Sequence, residues 1–328
     1  MVRALFPAFF VMILTVAPSL AQLTPDRTYY GVGRSIPVQV AVPADTKGEA
    51  TIGLFAPGSA EPTETAPVVP GGANLAMLFP KFWEQKSAKV AYAQLIVGEK
   101  KIGPPVVLQP LLDGNPAFKD PNSGRPAFAP TGRSYNGLRA YVEKNVRIET
   151  SEGPMTFRMR PDQAPNTAWN FMGLAGGGFY TDIIFHRIMG SQAGRPPFMV
   201  QVGDPMGTGS GGPGFSIDLE NSTLPHDFGV LSMARSNDPN SAGSQVFICL
   251  SREGTKFLDG GYCSFAELID GQDALTKIAA TPVVDNGSGE MSRPQSPPRI
   301  VSAKLVDALP FGEQPALPKA PAPAATPR

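Results

Sequence analysis

Histidine, cysteine and tryptophan are scarce in this 328-residue chain, with two of each. Two cysteines, Cys249 and Cys263, cannot build the multi-bridge framework that staples small secreted domains. They leave two readings open, a single bridge or two small buried apolar side chains. The two histidines, His186 and His226, stand 40 residues apart and supply no zinc-ligand set. No metal and no other cofactor is therefore expected. An excess of charge of either sign is also missing: 28 Lys+Arg balance 28 Asp+Glu, and only 17% of residues are charged. Such a chain has no basic field to hold nucleic acid or an anionic membrane. No Ser-His-Asp set stands out in the sequence. The run Gly207-Thr208-Gly209-Ser210-Gly211-Gly212 lacks the Lys-Ser/Thr pair of a phosphate loop and reads as a flexible loop at a cleft edge.

Proline and glycine are abundant instead, at 36 and 35 residues. That density favours many turns, β-rich architecture and long connectors over helix bundles. The length allows two domains, and 42% hydrophobic residues suffice for buried cores.

Residues 1–21 read as an export signal. Arg3 gives a positive start, Ala4 to Val16 an apolar core, and Ser19-Leu20-Ala21 a small-residue cleavage pattern. The apolar run is shorter than the roughly 20 residues of a membrane span, and Pro18 ends it. The chain is thus expected to be exported, periplasmic or secreted after cleavage near Ala21. An uncleaved anchoring helix is the alternative.

Residues 27–112 carry period-2 alternation. Ile36, Val38, Val40 and Val42 alternate with Pro37, Gln39 and Ala41, as a strand with one buried face requires. Further strands are predicted at Thr51–Phe55, Val90–Val97 and Val106–Leu108, giving a small β-sandwich-like domain. It reads as a spacer, or as a docking module for an unknown protein partner. Residues 113–137, dense in Gly, Pro, Asn and Ser, read as a linker. Residues 309–328 read as a Pro-rich disordered tail.

Between them, residues 140–308 form the informative domain. Val146–Thr150 and Met155–Met159 alternate around Ser151-Glu152-Gly153-Pro154, a hairpin pattern. Pro165 opens a helix whose Ala168, Phe171, Met172 and Ala175 share one face. Strand segments follow at Ile183–Ile188, Met199–Gly203, Gly229–Met233, Gln245–Leu250 and Tyr262–Glu267. A second amphipathic helix at Ala274–Ala279 and a strand at Ile300–Val306 complete it. Many strands with two helices suggest a closed antiparallel barrel capped by helices.

Six blocks in this domain carry the chemistry. They are Phe185-His186-Arg187, Phe198 to Asp204, Gly207 to Gly214, Gly229 to Arg235, Asn240 to Ile248, and Phe257-Leu258-Asp259-Gly260. In type and order they resemble the cyclophilins, peptidyl-prolyl cis-trans isomerases, over about half of the chain. The resemblance implies a mainly β fold: an eight-stranded antiparallel barrel closed by two helices. It implies Arg187, Gln201 and Phe247 as catalytic residues. It also implies a substrate surface of Phe198, Met199, Ala234, Arg235, Gln245, Phe257, Leu258 and Tyr262, acting on proline-containing polypeptides.

The residues support such chemistry without the name. An X-Pro bond turns over a barrier of about 18–20 kcal/mol because the nitrogen lone pair is delocalised. A donor aimed at that nitrogen favours the twisted state, where the lone pair is localised. Arg187 is a permanent cation with a planar fork of donors, and its bond forms only in the twisted geometry. Met199 and Gln201 lie two apart, as do Gln245 and Phe247, so each pair faces one way on a strand. A polar-plus-apolar face suits a cleft better than a core. His186 is expected to play a structural part.

Departures from the family pattern are local. Phe257 and Tyr262 stand where tryptophan and histidine are common in eukaryotic members, matching bacterial-type sites. Phe257 lacks an indole N–H, which implies weak cyclosporin binding. Ten residues, Ile188 to Pro197, separate Arg187 from Phe198, more than the usual spacing, and are expected to bulge beside the cleft. The reading that follows is an exported isomerase assisting protein folding. A peptide-binding module without turnover is the runner-up.

Overall fold

In the first unit, alternation is translated directly into layers. Strand Pro37–Val40 buries Val38 and Val40 while Gln39 is exposed. It lies between Leu23–Pro25 and Gly71–Asn74 in a three-stranded antiparallel sheet. The partner sheet has six strands in the order Tyr29–Gly31, Tyr135–Val142, Lys100–Leu112, Ala91–Val97, Ala50–Phe55 and Glu64–Pro67. Ile36, Val38 and Val40 share a core with Ile52, Leu95, Val106 and Leu138 of the larger sheet. Two sheets enclosing one apolar layer make a β-sandwich. This computed structural model describes residues 22–84, 89–129, 134–191 and 194–320, so residues 1–21, expected from the sequence to be an export signal, lie outside it.

Two segments differ from the sequence reading. The supposed linker 113–137 holds a hairpin, Phe118–Lys119 with Pro126–Ala127, and its end enters strand Tyr135–Val142 of the sandwich. Gly137 there answers a close approach, since a Cβ would strike the Tyr30 carbonyl. Ala117 is fastened to the second unit, with its N–H donating to Asn240 Oδ1 (3.2 Å) and its carbonyl accepting from Asn240 Nδ2 (2.7 Å). The start of the Pro-rich tail is also anchored. Phe311 packs with Phe55, Val90, Tyr92 and Val107 of the sandwich, because one aromatic side chain offsets the ordering of a few residues. Residues 321–328 lie outside the described ones.

The second unit is built on eight antiparallel strands: β1 (Lys144–Thr150), β2 (Gly153–Met159), β3 (Arg187–Met189), β4 (Met199–Val202), β5 (Val230–Met233), β6 (Val246–Cys249), β7 (Ser264–Asp270) and β8 (Ile300–Asp307). They lie in the order β3-β4-β6-β5-β7-β2-β1-β8. The two edges meet just before β3 and β8, where Ile184 bridges Arg299. There Phe185 N–H donates to Pro298 O and Ile300 N–H to Ile183 O, both at 2.8 Å. The sheet is thereby closed into a barrel. Helix α1 (Pro165–Gly176) starts with proline in its first turn and buries Ala168, Phe171, Met172 and Ala175. Helix α2 (Gln272–Ala279) buries Ala274, Leu275 and Ile278. Both faces join Phe157, Phe185 and Phe265 in the barrel core. The architecture is mainly β, as the sequence indicated. No helix among the described residues is long and apolar enough to cross a membrane.

Cys249 and Cys263 are free and buried. Burial raises both thiols, Cys263 to about 12, so neither is a ready thiolate.

Candidate active site

Register across four strands sorts side chains into rows. Ile188, Val200, Ile248 and Leu231 stand opposite one another on β3, β4, β6 and β5, and all four belong to the barrel core. One residue along, the row is Arg187, Gln201, Phe247 and Ser232. Because side chains alternate along a strand, this row faces away from the barrel interior. Met189, Met199 and Cys249 form the next outward row. The site is therefore a cleft on the outer face of the sheet.

Met199, Phe247 and Leu258 form an apolar cluster separate from the barrel core, with Phe198, Ala234 and Tyr262 packed against it. These six line a cavity of about 570 Å³ together with Arg187, Gln201 and Arg235. Gln245 lines a neighbouring cavity of about 550 Å³ that shares Gln201. The two amides are joined, Gln201 Nε2 donating to Gln245 Oε1 at 2.9 Å. Gln245 Nε2 in turn donates to Gly209 O and Gly211 O, both 2.9 Å, which ties the glycine run to the cleft edge. Phe257 does not line the cavity. It stands 63% exposed on the rim, stacked on Phe198 with ring centroids 5.6 Å apart.

The rim residues hold each other in place. The Arg235 guanidinium lies 4.5 Å over the Tyr262 ring, while Nη2 donates to Gly261 O and Nη1 to Ser236 O, each 2.8 Å. Tyr262 meets Phe247 edge-on at 5.8 Å. Behind Phe247, His226 stacks at 6.0 Å and links Asp259 (Nδ1 to Oδ1, 3.0 Å) to Ser232 (Nε2 to Oγ, 2.9 Å). Sequence spacing gave no sign of this Ser-His-Asp chain. Ser232 is fully buried, so the chain props the floor and offers no nucleophile to substrate. Burial pulls His226 below its ordinary pKa, against the opposing pull of Asp259, and keeps it neutral. His186 also lines the cavity, with its imidazole lowered by burial.

Arg187 is the central charge. Its Nε donates to Glu290 Oε1 and its Nη2 to Glu290 Oε2, both at 2.7 Å. Its Nη1 lies 3.4 Å from Gln201 Oε1. These hydrogen bonds from Arg187 hold the Glu290 carboxyl down at about 2. Sequence reasoning missed Glu290, which sits in Asn286-Gly287-Ser288-Gly289-Glu290 and looks there like a solvated turn. Nothing in local spacing marks a partner 103 positions away. Asn286, Ser292 and Arg293 of the same hairpin also line the cleft and were likewise unseen.

The long Ile188–Pro197 spacing does not displace Arg187. The β3–β4 pairing resumes on the far side of that spacing, where Phe198 N–H donates to Met189 O at 2.9 Å. Ser251 Oγ–H donates to Pro197 O at 2.6 Å and pins the returning chain. Arg187 stays opposite Gln201.

An antiparallel barrel whose outer face carries an apolar cleft, with Arg187 beside it and two linked glutamines, is the arrangement of the cyclophilin class. Residues 145–305 match the family described as cyclophilin type peptidyl-prolyl cis-trans isomerase/CLD. A peptidyl-prolyl cis-trans isomerase of Synechococcus elongatus is 41% identical over 159 residues, covering 48% of this chain and 94% of the relative. A peptidyl-prolyl cis-trans isomerase-like 1 of Emericella nidulans is 36% identical over 169 residues, 50% of this chain and 96% of the relative. A solved cyclophilin-type isomerase of Cryptosporidium parvum, crystallised in the presence of the dipeptide Ala-Pro, is 34% identical with a TM-score of 0.44, covering 49% of this chain and 98% of that one. The chain belongs to the cyclophilin-type peptidyl-prolyl cis-trans isomerases, and carries a β-rich segment N-terminal to the matching residues.

Proposed function

We propose that the cleft turns X-Pro peptide bonds by stabilising their twisted state with Arg187. The observation that carries this reading is one cavity holding the Arg187 guanidinium, the Gln201 amide and the apolar wall of Met199, Phe247 and Leu258. The proline ring seats against that wall, and Gln201, Gln245 and the backbone near Ala234-Arg235 hold the flanking chain. The rim rings Phe198, Phe257 and Tyr262 shield it from water. As the bond twists, its nitrogen becomes an acceptor and the arginine donates to it. A charge-assisted bond of about 1.5–3 kcal/mol gives roughly ten- to a hundredfold at about 1.4 kcal/mol per decade. Restraint of one side of the bond and loss of water supply the rest.

The substrates in this reading are unfolded or flexible proline-containing chains, and the setting is outside the cytoplasm, after cleavage near Ala21. The sequence of residues 1–21 supports the setting. Mass spectrometry of the mature N-terminus tests it, and an intact Met1 on a cytoplasmic protein would refute it. The sandwich serves to dock a protein partner in the same reading. In-cell crosslinking then finds partner contacts on residues 27–112, and contacts confined to the cleft would count against it.

The enzymatic reading is tested by a proline-limited refolding assay comparing wild type with Arg187→Ala. A ten- to hundredfold loss of acceleration is expected. Equal rates with peptide binding retained would favour the module that binds without turning the bond.

A further inference from the structure

The geometry points to Glu290 as a positioning residue that fixes which edge of the Arg187 guanidinium faces the bound peptide. This rests on the arginine reading above. A guanidinium has five N–H groups in one plane, on a stem with many rotamers. Left alone it samples many orientations over the cleft. Here the carboxylate takes the Nε and Nη2 donors together, both at 2.7 Å. A two-point contact sets the plane as well as the place. The Nη1 edge remains, on the side of Gln201.

Glu290 is itself held before any peptide arrives. It closes the turn between strands Val283–Asp285 and Met291–Pro294. Asp285 Oδ1 accepts from Gly287 N–H (2.6 Å) and Gly289 N–H (3.2 Å). Asn286 Oδ1 accepts from Ser288 N–H at 2.9 Å, and Asn286 N–H donates to Glu290 O at 2.9 Å. Gly287 and Gly289 sit at φ 98° and 86°, a region that side chains other than glycine rarely adopt. The turn is thus shaped by its own residues to present one acid. Positioning fits better than a latch, because the pair leaves Nη1 outside the carboxylate contact, beside the cavity-lining Gln201.

The test uses the full chain with an X-Pro peptide, measuring kcat and KM for wild type, Glu290→Ala, Glu290→Gln, Arg187→Ala and Glu290→Ala/Arg187→Ala. Glu290→Ala is expected to lower kcat about tenfold, the scale of loose positioning, with KM within about twofold. Glu290→Gln keeps the length and one acceptor, and is expected to recover much of the loss. In the Arg187→Ala background, removing Glu290 is expected to change nothing, since its action passes through the arginine. An unchanged or raised kcat in both Glu290 variants overturns the inference, as does an equal loss with Arg187 already gone. Should Glu290→Ala fail to fold, the near-isosteric Glu290→Gln and the ¹⁵Nε signal of Arg187 decide the matter. That signal is expected to be protected in wild type and to fall partway in Glu290→Gln, in step with its partial loss of kcat; protection and kcat both unchanged by the substitution overturn the inference. If Arg187→Ala keeps full kcat while Glu290→Ala does not, the arginine mechanism itself falls, and this inference with it.

Discussion

Asp204 shows how one side chain shapes the cleft edge. Its carboxylate is buried and accepts from the backbone N–H of Met206 (2.7 Å), Thr208 (2.8 Å) and Gly209 (2.6 Å). Burial alone pushes this acid up, but the backbone donors override it and hold the pKa near about 2. The folded value lies below the ordinary 3.8, so the contribution is present above about pH 4 and lost as pH falls through 2. Asp204→Asn is expected to cost about 1–3 kcal/mol, the scale of unmet buried donors, and to flatten the acid limb of stability. Urea unfolding between pH 2 and 7 checks this; an unchanged limb would mean the loop is held by other groups. The sequence placed Asp204 in a family block and the glycines beyond it in a loop. It could not show that the acid organises the glycines, because those bonds exist only once the turn has formed.

Among the elements, the tail beyond β8 behaves least as its composition suggests. Phe311 lies 4.8 Å from the rings of both Phe55 and Tyr92. Its N–H donates to Gln94 Oε1 at 2.8 Å, and its carbonyl accepts from Lys101 Nζ at 2.8 Å. The last barrel strand is therefore strapped to the sandwich. Phe311→Ala is expected to destabilise the protein by about 3 kcal/mol, the lower end for a buried phenylalanine, while X-Pro isomerisation stays unchanged. Thermal unfolding and peptide kinetics measured together check this, and lost activity at full stability would contradict it. Strands were legible where alternation was strong, as at Val38 and Val40, or where a helix face repeated, as at Ala168, Phe171 and Met172. The strand Tyr135–Val142 was not, since Gly137 and the Pro- and Gly-rich run before it imitate a linker. The cleft walls were legible through their family blocks. Glu290 was not, because a glycine-rich turn gives no hint of the arginine it faces after folding.

At the scale of the whole molecule, the two units meet along a polar and aromatic seam. Arg139 lies 4.6 Å over Trp169 of α1, and Gln109 Nε2 donates to Asn166 Oδ1 at 3.2 Å. Glu143, buried where the sandwich passes into β1, is pushed up to about 8 by burial, with Arg158 and Asp162 acting in opposite senses. The folded protein keeps a proton there that the unfolded chain releases above the ordinary 4.5. Stability should thus fall as pH rises from about 4.5 and level off past 8. Glu143→Gln is expected to gain about 1–3 kcal/mol at pH 8 and little near pH 5, as read by melts across that range. A gain of equal size at both ends would place the cause elsewhere. In the proposed mechanism, function depends on Arg187 reaching a bound imide. Exchange NMR of an Ala-Pro peptide saturated with wild type or Arg187→Ala measures this directly. The account predicts fast cis–trans exchange on the wild type, and exchange ten- to a hundredfold slower on the variant at similar peptide affinity. Equal exchange on both proteins would contradict it.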